Sequence, residues 1–211
     1  MQLQCSPMKF WIVTGGPATG KSAFCDALVR AAGEERIRRF SCDEAAHELW
    51  ADPEIVEEII AAFGSRVEGQ PGSLKIDRKQ VRDVVFAEPA MRERLEAILH
   101  PPIMRKLEET RMAAQKAGKA KVFLAEVPLY YEIEASLPAD TVIVVAATRT
   151  VQKTRLMEHR NLGAATCEGL LNAQLPLELK TNKADVVVWN DGSPAILEAQ
   201  AFALLRDRWE L

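Results

Sequence analysis

The stretch Lys9-Phe10-Trp11-Ile12-Val13-Thr14-Gly15-Gly16-Pro17-Ala18-Thr19-Gly20-Lys21-Ser22 decides the fold. It opens with a short apolar run, Lys9–Thr14, of the kind found in strands buried on both faces of a parallel sheet. Gly15–Ser22 then matches the pattern GxxxxGK[ST] in full. Ser22–Ala32 reads as a helix closed by Gly33. Strand, glycine-rich loop and helix together make a phosphate cradle. Glycines let the backbone turn tightly and aim several N–H groups at one point. The helix N-terminus adds its partial positive charge. Lys21 reaches the β- and γ-phosphates, and the Ser22 hydroxyl binds Mg²⁺. A turn that merely joins strand to helix needs neither Lys nor Ser at those places. The stretch therefore predicts a site for a nucleoside triphosphate, lined by Gly16, Pro17, Ala18, Thr19, Gly20, Lys21, Ser22 and Ala23.

Outward from the loop, further apolar runs predict strands at Ile37–Ser41, Lys121–Ala125, Thr141–Ala146 and Val186–Trp189. Helices are expected over Asp43 to about Trp50, with Asp43 as cap, and from Asp52-Pro53 to about Phe63. Gly69–Ser73 reads as a turn, and Asp77–Ala87 as a helix. A further helix starts near Pro89, is interrupted at His100-Pro101-Pro102, and resumes to about Ala117. Thr148–Arg160 and about Ala165–Gln174 are polar and helical, and Pro194–Arg208 closes the chain. About five strands separated by helices predict an α/β protein with a parallel sheet. Residues 51–118 and 148–183 break the rhythm, being helical with no strand between. The expected organisation is a nucleotide-binding core (8–50, 119–147 and 184–211), a helical acceptor-binding insertion (51–118) and a lid (148–183).

Composition bounds the function. The chain has 211 residues, 48% hydrophobic and 27% charged, enough to bury a core without staples. A net charge of −3 argues against general nucleic-acid binding. Arg36, Arg38 and Arg39 read as a solvated edge rather than a nucleic-acid patch. No apolar run reaches the roughly 18 residues of a membrane span. Met1–Pro7 is short and polar, unlike a secretory signal. Cys5, Cys25, Cys42 and Cys167 show no metal spacing and predict free thiols in a cytoplasmic protein. The expected assembly is a monomer or a small homo-oligomer acting on a small molecule.

Asn182-Lys183-Ala184-Asp185 spells NKxD, which resembles the guanine-reading motif of GTPases. It precedes an apolar strand instead of following one, so it carries no such reading. The expected switch segments are also missing. A small kinase fits better, since it needs a core, an acceptor site and a lid that excludes water. A kinase for another nucleotide or small molecule and a non-catalytic nucleotide switch are the alternatives.

The chain resembles dephospho-CoA kinases nearly end to end. The family's TGGxGSGKS loop stands at Thr14–Ser22, its DAD segment at Ser41-Cys42-Asp43, and its LHP at Leu99-His100-Pro101. Its PLLxE stands at Pro128-Leu129-Tyr130-Tyr131-Glu132. Its lid series stands at Arg155, Gln174, Pro176, Lys180, Ala184-Asp185, Asn190 and Gly192. The chain departs from the pattern at Ser41, at Pro17 and Ala18, at Tyr130-Tyr131, and at His159, where a lid arginine moves to Arg160.

The resemblance implies transfer of the ATP γ-phosphate to the ribose 3′-hydroxyl of dephospho-CoA. Lys21 and the loop amides then hold the donor phosphates. Asp43, just beyond the second strand where ligands of parallel sheets gather, is the expected general base. Arg155 and Arg160 are expected to neutralise the transferring group, and Glu126 to orient Mg²⁺ through water. Arg78, His100, Pro128, Leu129 and Glu132 are expected at the acceptor. Asn190 and Gly192, after the last strand, are expected beside the nucleotide base.

Overall fold

Burial on both faces marks β1 (Lys9–Gly15), β3 (Val122–Glu126) and β4 (Thr141–Ala146) as interior strands. β2 (Ile37–Ser41) and β5 (Val186–Trp189) keep exposed positions and form the edges. All pairings are parallel, in the order β2-β3-β1-β4-β5. The computed structural model describes residues 8–67, 69, 75–133 and 137–209. The expected tail Met1–Pro7, with Cys5, and the turn beyond Gly69 lie outside the described residues.

The chain divides into two compact units, Met1–Ser41 with Arg111–Leu211, and Cys42–Thr110. The first holds the sheet. α1 (Lys21–Ala32) and α9 (Pro194–Trp209) pack together on one face, over Trp11, Val13, Leu124, Ile143, Val145 and Val188. Alternation sends Phe10, Phe40 and Phe123 to the other face, where Phe123 meets Phe10 at 5.7 Å and Phe40 at 6.4 Å between ring centroids. After β4 come α6 (Arg149–Arg160), α7 (Ala164–Asn172) and α8 (Leu177–Asn182). Glu168 of α7 pairs with Lys153 and Arg149 of α6, and α8 lies on β4. The chain crosses from β1 to β2 on one side and later to β4 and β5 on the other. The loop after β1 thus sits at a topological switch point, outside the carboxyl ends of the strands.

The second unit comprises α2 (Cys42–Leu49), α3 (Pro53–Phe63), a 3₁₀ turn (Gly64–Val67), α4 (Arg78–Ala87) and the larger part of α5 (Pro89–Ala117). Asp52 caps α3 by accepting from the Glu54 amide, with Pro53 in the first turn. Asp77 caps α4 through the Lys79 and Gln80 amides. Buried apolar residues include Ile59 and Phe63 of α3, Val67 of the turn and Val81 of α4.

Three local expectations change. α5 runs unbroken through Pro101 and Pro102. Two missing amide donors weaken it there, but Leu99, Ile103 and Leu107 stay buried at four-residue spacing, and that stripe holds the helix together. α2 begins at Cys42, so Asp43 stands inside its first turn and is not its cap; an acidic residue there still suits the helix dipole. β3 extends one residue further, through Glu126, because Glu126 remains in register with Val13 and Ser41. Among the described residues, no helix is long and apolar enough to cross a membrane.

Candidate active site

The loop between β1 and α1 is held by its acceptors. The Lys21 ammonium donates to the carbonyls of Gly16 at 2.9 Å and Gly15 at 3.4 Å. Thr19 Oγ1 also donates to the Gly16 carbonyl. Asn190 Nδ2 donates to the Thr19 carbonyl at 2.8 Å, and Arg155 Nη1 to those of Ala18 and Thr19. A loop pinned through its carbonyls suits a site whose N–H donors meet an anion. Gly20, just before α1, has φ 94°, and a Cβ there meets Asn190 Nδ2 at 2.3 Å. Only glycine satisfies both the turn and that approach. No side chain caps α1, so its first turn presents its amides and dipole to a ligand.

Ser22, in the first turn of α1, donates its hydroxyl to Glu126 Oε1 at 2.7 Å. Glu126 is 2% exposed at the end of β3. Its other oxygen accepts from Arg39 Nη2 at 2.9 Å, and Arg39 Nη1 pairs with Asp26. Arg39 is thus no solvated edge residue. It faces α1 from β2, on the side of the buried Ile37, while Arg38 alternates outward and is exposed. Burial works against the Arg39 charge. Its bond to Glu126 and the fields of Cys25, Glu126 and Asp26 outweigh that effect and raise its pKa. Beside them, burial first and then Glu126 push the Cys25 thiol far up, so Cys25 is an inert core residue. Ser22 Oγ and the Glu126 carboxylate are hard oxygen donors. One or two such groups beside phosphates are what Mg²⁺ takes from a protein, so the residues fit it.

On the β4–β5 side, Arg155 also donates to the Asn190 carbonyl at 2.9 Å. Asn190 is 6% exposed, and its Nδ2 braces the loop at the Thr19 carbonyl. Arg155, expected on the transferring phosphate, is committed to the same three carbonyls. Arg160 ends α6, is exposed, and its side chain makes no hydrogen bond or ion pair among the described residues. Gly192 lies in the exposed turn before α9. A cavity of about 490 Å³ adjoins the loop, walled by Gly16, Pro17, Gln152, Gln174, Pro176 and Trp189. Asp185 of the NKxD stretch accepts from the Val142 amide at 2.7 Å, which fixes β5 to β4. That is a structural role for the motif's last residue.

The expected acceptor residues fall in both units. In the first, the Pro128 carbonyl accepts from Thr14 Oγ1, and Leu129 follows in a turn. Glu132, through Oε1, pairs at 2.6 Å with Lys180, which is fully buried, and accepts from the Leu175 amide, while Oε2 is buried with no hydrogen-bond partner among the described residues. Lys180 also donates to Gln174. This cluster ties the loop after β3 to the stretch leading into α8. Tyr131 stacks edge-on to Tyr130 at 5.1 Å, and burial, with smaller help from Tyr130 and Asp185, pushes its phenol up to about 12. In the second unit, Asp43 is exposed in the first turn of α2. Arg78 lies over the Trp50 ring at 5.5 Å and meets His47 Nδ1 at 3.1 Å. It borders a cavity of about 410 Å³ with Trp50, Pro53, Val56 and Lys75. His100 is half-buried in the interior of α5.

The profile of the family described as dephospho-CoA kinase matches residues 11–195. The chain belongs to the dephospho-CoA kinase family. It is 42% identical to a dephospho-CoA kinase of Anaeromyxobacter dehalogenans over 197 residues, covering 92% of this chain and 90% of that one. It is 35% identical to one of Geobacter metallireducens, covering 94% and 96%. Among solved structures, TT1252 from Thermus thermophilus superposes with a TM-score of 0.77 at 27% identity, covering 96% of this chain and 99% of that one. The dephospho-CoA kinase of Campylobacter jejuni shares the fold, with a TM-score of 0.59 at 24% identity, covering 95% and 97%.

Within this kinase fold, Arg39 and Lys180 have structural consequences that the sequence hides. Lys180 was legible only as a motif position. Nothing in its neighbourhood marks it as fully buried, because its partner lies 48 residues away. The sign for Arg39 was weak but present: it shares a face of β2 with Ile37, and a charged residue at such an inward-alternating position needs a buried partner.

Proposed function

We infer that the chain transfers the γ-phosphate of ATP to the 3′-hydroxyl of dephospho-CoA, giving CoA and ADP. The observation that carries this is the family match across residues 11–195, laid on a complete strand–loop–helix phosphate site. The acceptor oxygen forms a bond to the γ-phosphorus, the bond from that phosphorus to the β–γ bridging oxygen breaks, and the hydroxyl proton leaves to a base. Asp43 is that base. It is an exposed carboxylate two residues beyond β2, at the carboxyl end of the sheet.

Lys21 and the amides of the loop hold the β- and γ-phosphates. Ser22 and Glu126 would hold Mg²⁺, which supplies positive charge to the phosphate oxygens when bound. Arg155 and Asn190 brace the loop by its carbonyls. That leaves Arg160 as the lid cation for the transferring group, helped by the N-terminus of α1. The helical stretch 148–183 closes as the lid and excludes water from the phosphoryl group. A cytoplasmic setting suits Cys25, Cys42 and Cys167, none of which is in a disulfide.

Asp43→Asn tests the role of the base. Nucleotide binding should stay within about twofold of the parent, while kcat falls by about 10² to 10⁴. An unchanged kcat removes Asp43 from the chemistry.

A further inference from the structure

We propose that Arg39 is a positioning residue for the cation end of the phosphate site, acting through Glu126 on the Ser22 hydroxyl. The proposal rests on the reading of Ser22 and Glu126 as the pair that faces magnesium.

Glu126 is 2% exposed, and a carboxylate so placed is tolerated only if both oxygens are bonded and its charge is matched. Arg39 Nη2 holds Oε2 at 2.9 Å, and the Ser22 hydroxyl holds Oε1 at 2.7 Å. With Oε2 occupied, only Oε1 is left for Ser22. The single Ser22 proton is then directed at Glu126, and the lone pairs of Oγ remain available to a cation. Arg39 therefore sets the orientation of an oxygen it never touches.

The guanidinium suits this task because it is a fork. Its second arm pairs with Asp26, one turn beyond Ser22 on the same face of α1. One side chain on β2 thereby joins the end of β3 to the start of α1, the two elements that supply the Ser22–Glu126 pair. A surface ion pair would have no such reach, but the Arg39 side chain is only 24% exposed. Lysine, a point charge on a flexible stem, can match Glu126 or Asp26 but not both.

The test is ADP binding by calorimetry, with and without Mg²⁺, for the parent, Arg39→Met, Arg39→Lys and Asp26→Asn. Metal-free ADP affinity should stay within about twofold in all four, since the loop is held elsewhere. The gain in affinity on adding Mg²⁺ should shrink about tenfold in Arg39→Met, as for loss of a group that orients a metal ligand. Arg39→Lys should recover part of it, and Asp26→Asn should show a smaller loss in the same direction. A parental magnesium gain in Arg39→Met overturns the proposal, even if its melting temperature falls. If Arg39→Met does not fold, Arg39→Lys decides in the same titration: a parental gain overturns the proposal, and a reduced one upholds it. ADP and Mg²⁺ alone are present, so the result is independent of whether dephospho-CoA is the acceptor.

Discussion

Ala18 holds the phosphate loop in a conformation that costs it stability. Its φ is 53°, in the left-handed region, and it stands where related loops carry glycine. A non-glycine residue there costs about 1–2 kcal/mol. Glycine would relieve that cost but bring about 0.5–1 kcal/mol of extra freedom in the unfolded chain. Ala18→Gly should therefore stabilise the fold by about 0.5 to 1 kcal/mol, read from the midpoint of a urea titration. A loss of stability would mean that the Ala18 methyl packs favourably enough to outweigh the strain. The position is visible in the sequence as a departure, but its strain is not, because a backbone angle is set by the loop around it. Arg39 shows the same limit. Three neighbouring arginines look alike in the sequence, and only the pleat of β2 distinguishes the inward one.

At the scale of elements, strands and caps follow from local rules, and their positions were legible. Apolar runs became the five paired strands of the described sheet, and Asp52 and Asp77 start helices where they were expected or one residue away. The long-range ties were not legible. Lys180, fully buried near the middle of α8, is matched by Glu132 after β3, and the Leu175 amide uses the same carboxylate oxygen. Lys180→Ala would leave that carboxylate without its cation and should cost about 3–5 kcal/mol in unfolding free energy. The double change Lys180→Met with Glu132→Gln should recover most of the loss, since it removes both charges. A single variant as stable as the parent would show that the pair contributes little to holding the stretch before α8. α5 makes the complementary point. Pro101 and Pro102 argue locally for a break, yet a stripe of buried apolar residues carries the helix through them.

For the whole molecule, the composition is quiet and the chemistry is concentrated. A net charge of −3 over 211 residues gives no hint of where the cations gather. The structure spends them locally. Lys21 and Arg155 hold the loop carbonyls, Arg39 balances Glu126, and Lys180 balances Glu132. Family membership rests on matches spread over the chain, and the phosphate loop alone would leave the acceptor open. The proposed function therefore turns on the identity of the acceptor. The direct measurement incubates the purified chain with ATP, Mg²⁺ and dephospho-CoA and quantifies CoA and ADP together by chromatography. CoA and ADP are expected in equal amounts, with ADP release falling to background when dephospho-CoA is left out. ADP formed without CoA, or a folded, nucleotide-binding chain that leaves dephospho-CoA untouched, would contradict it.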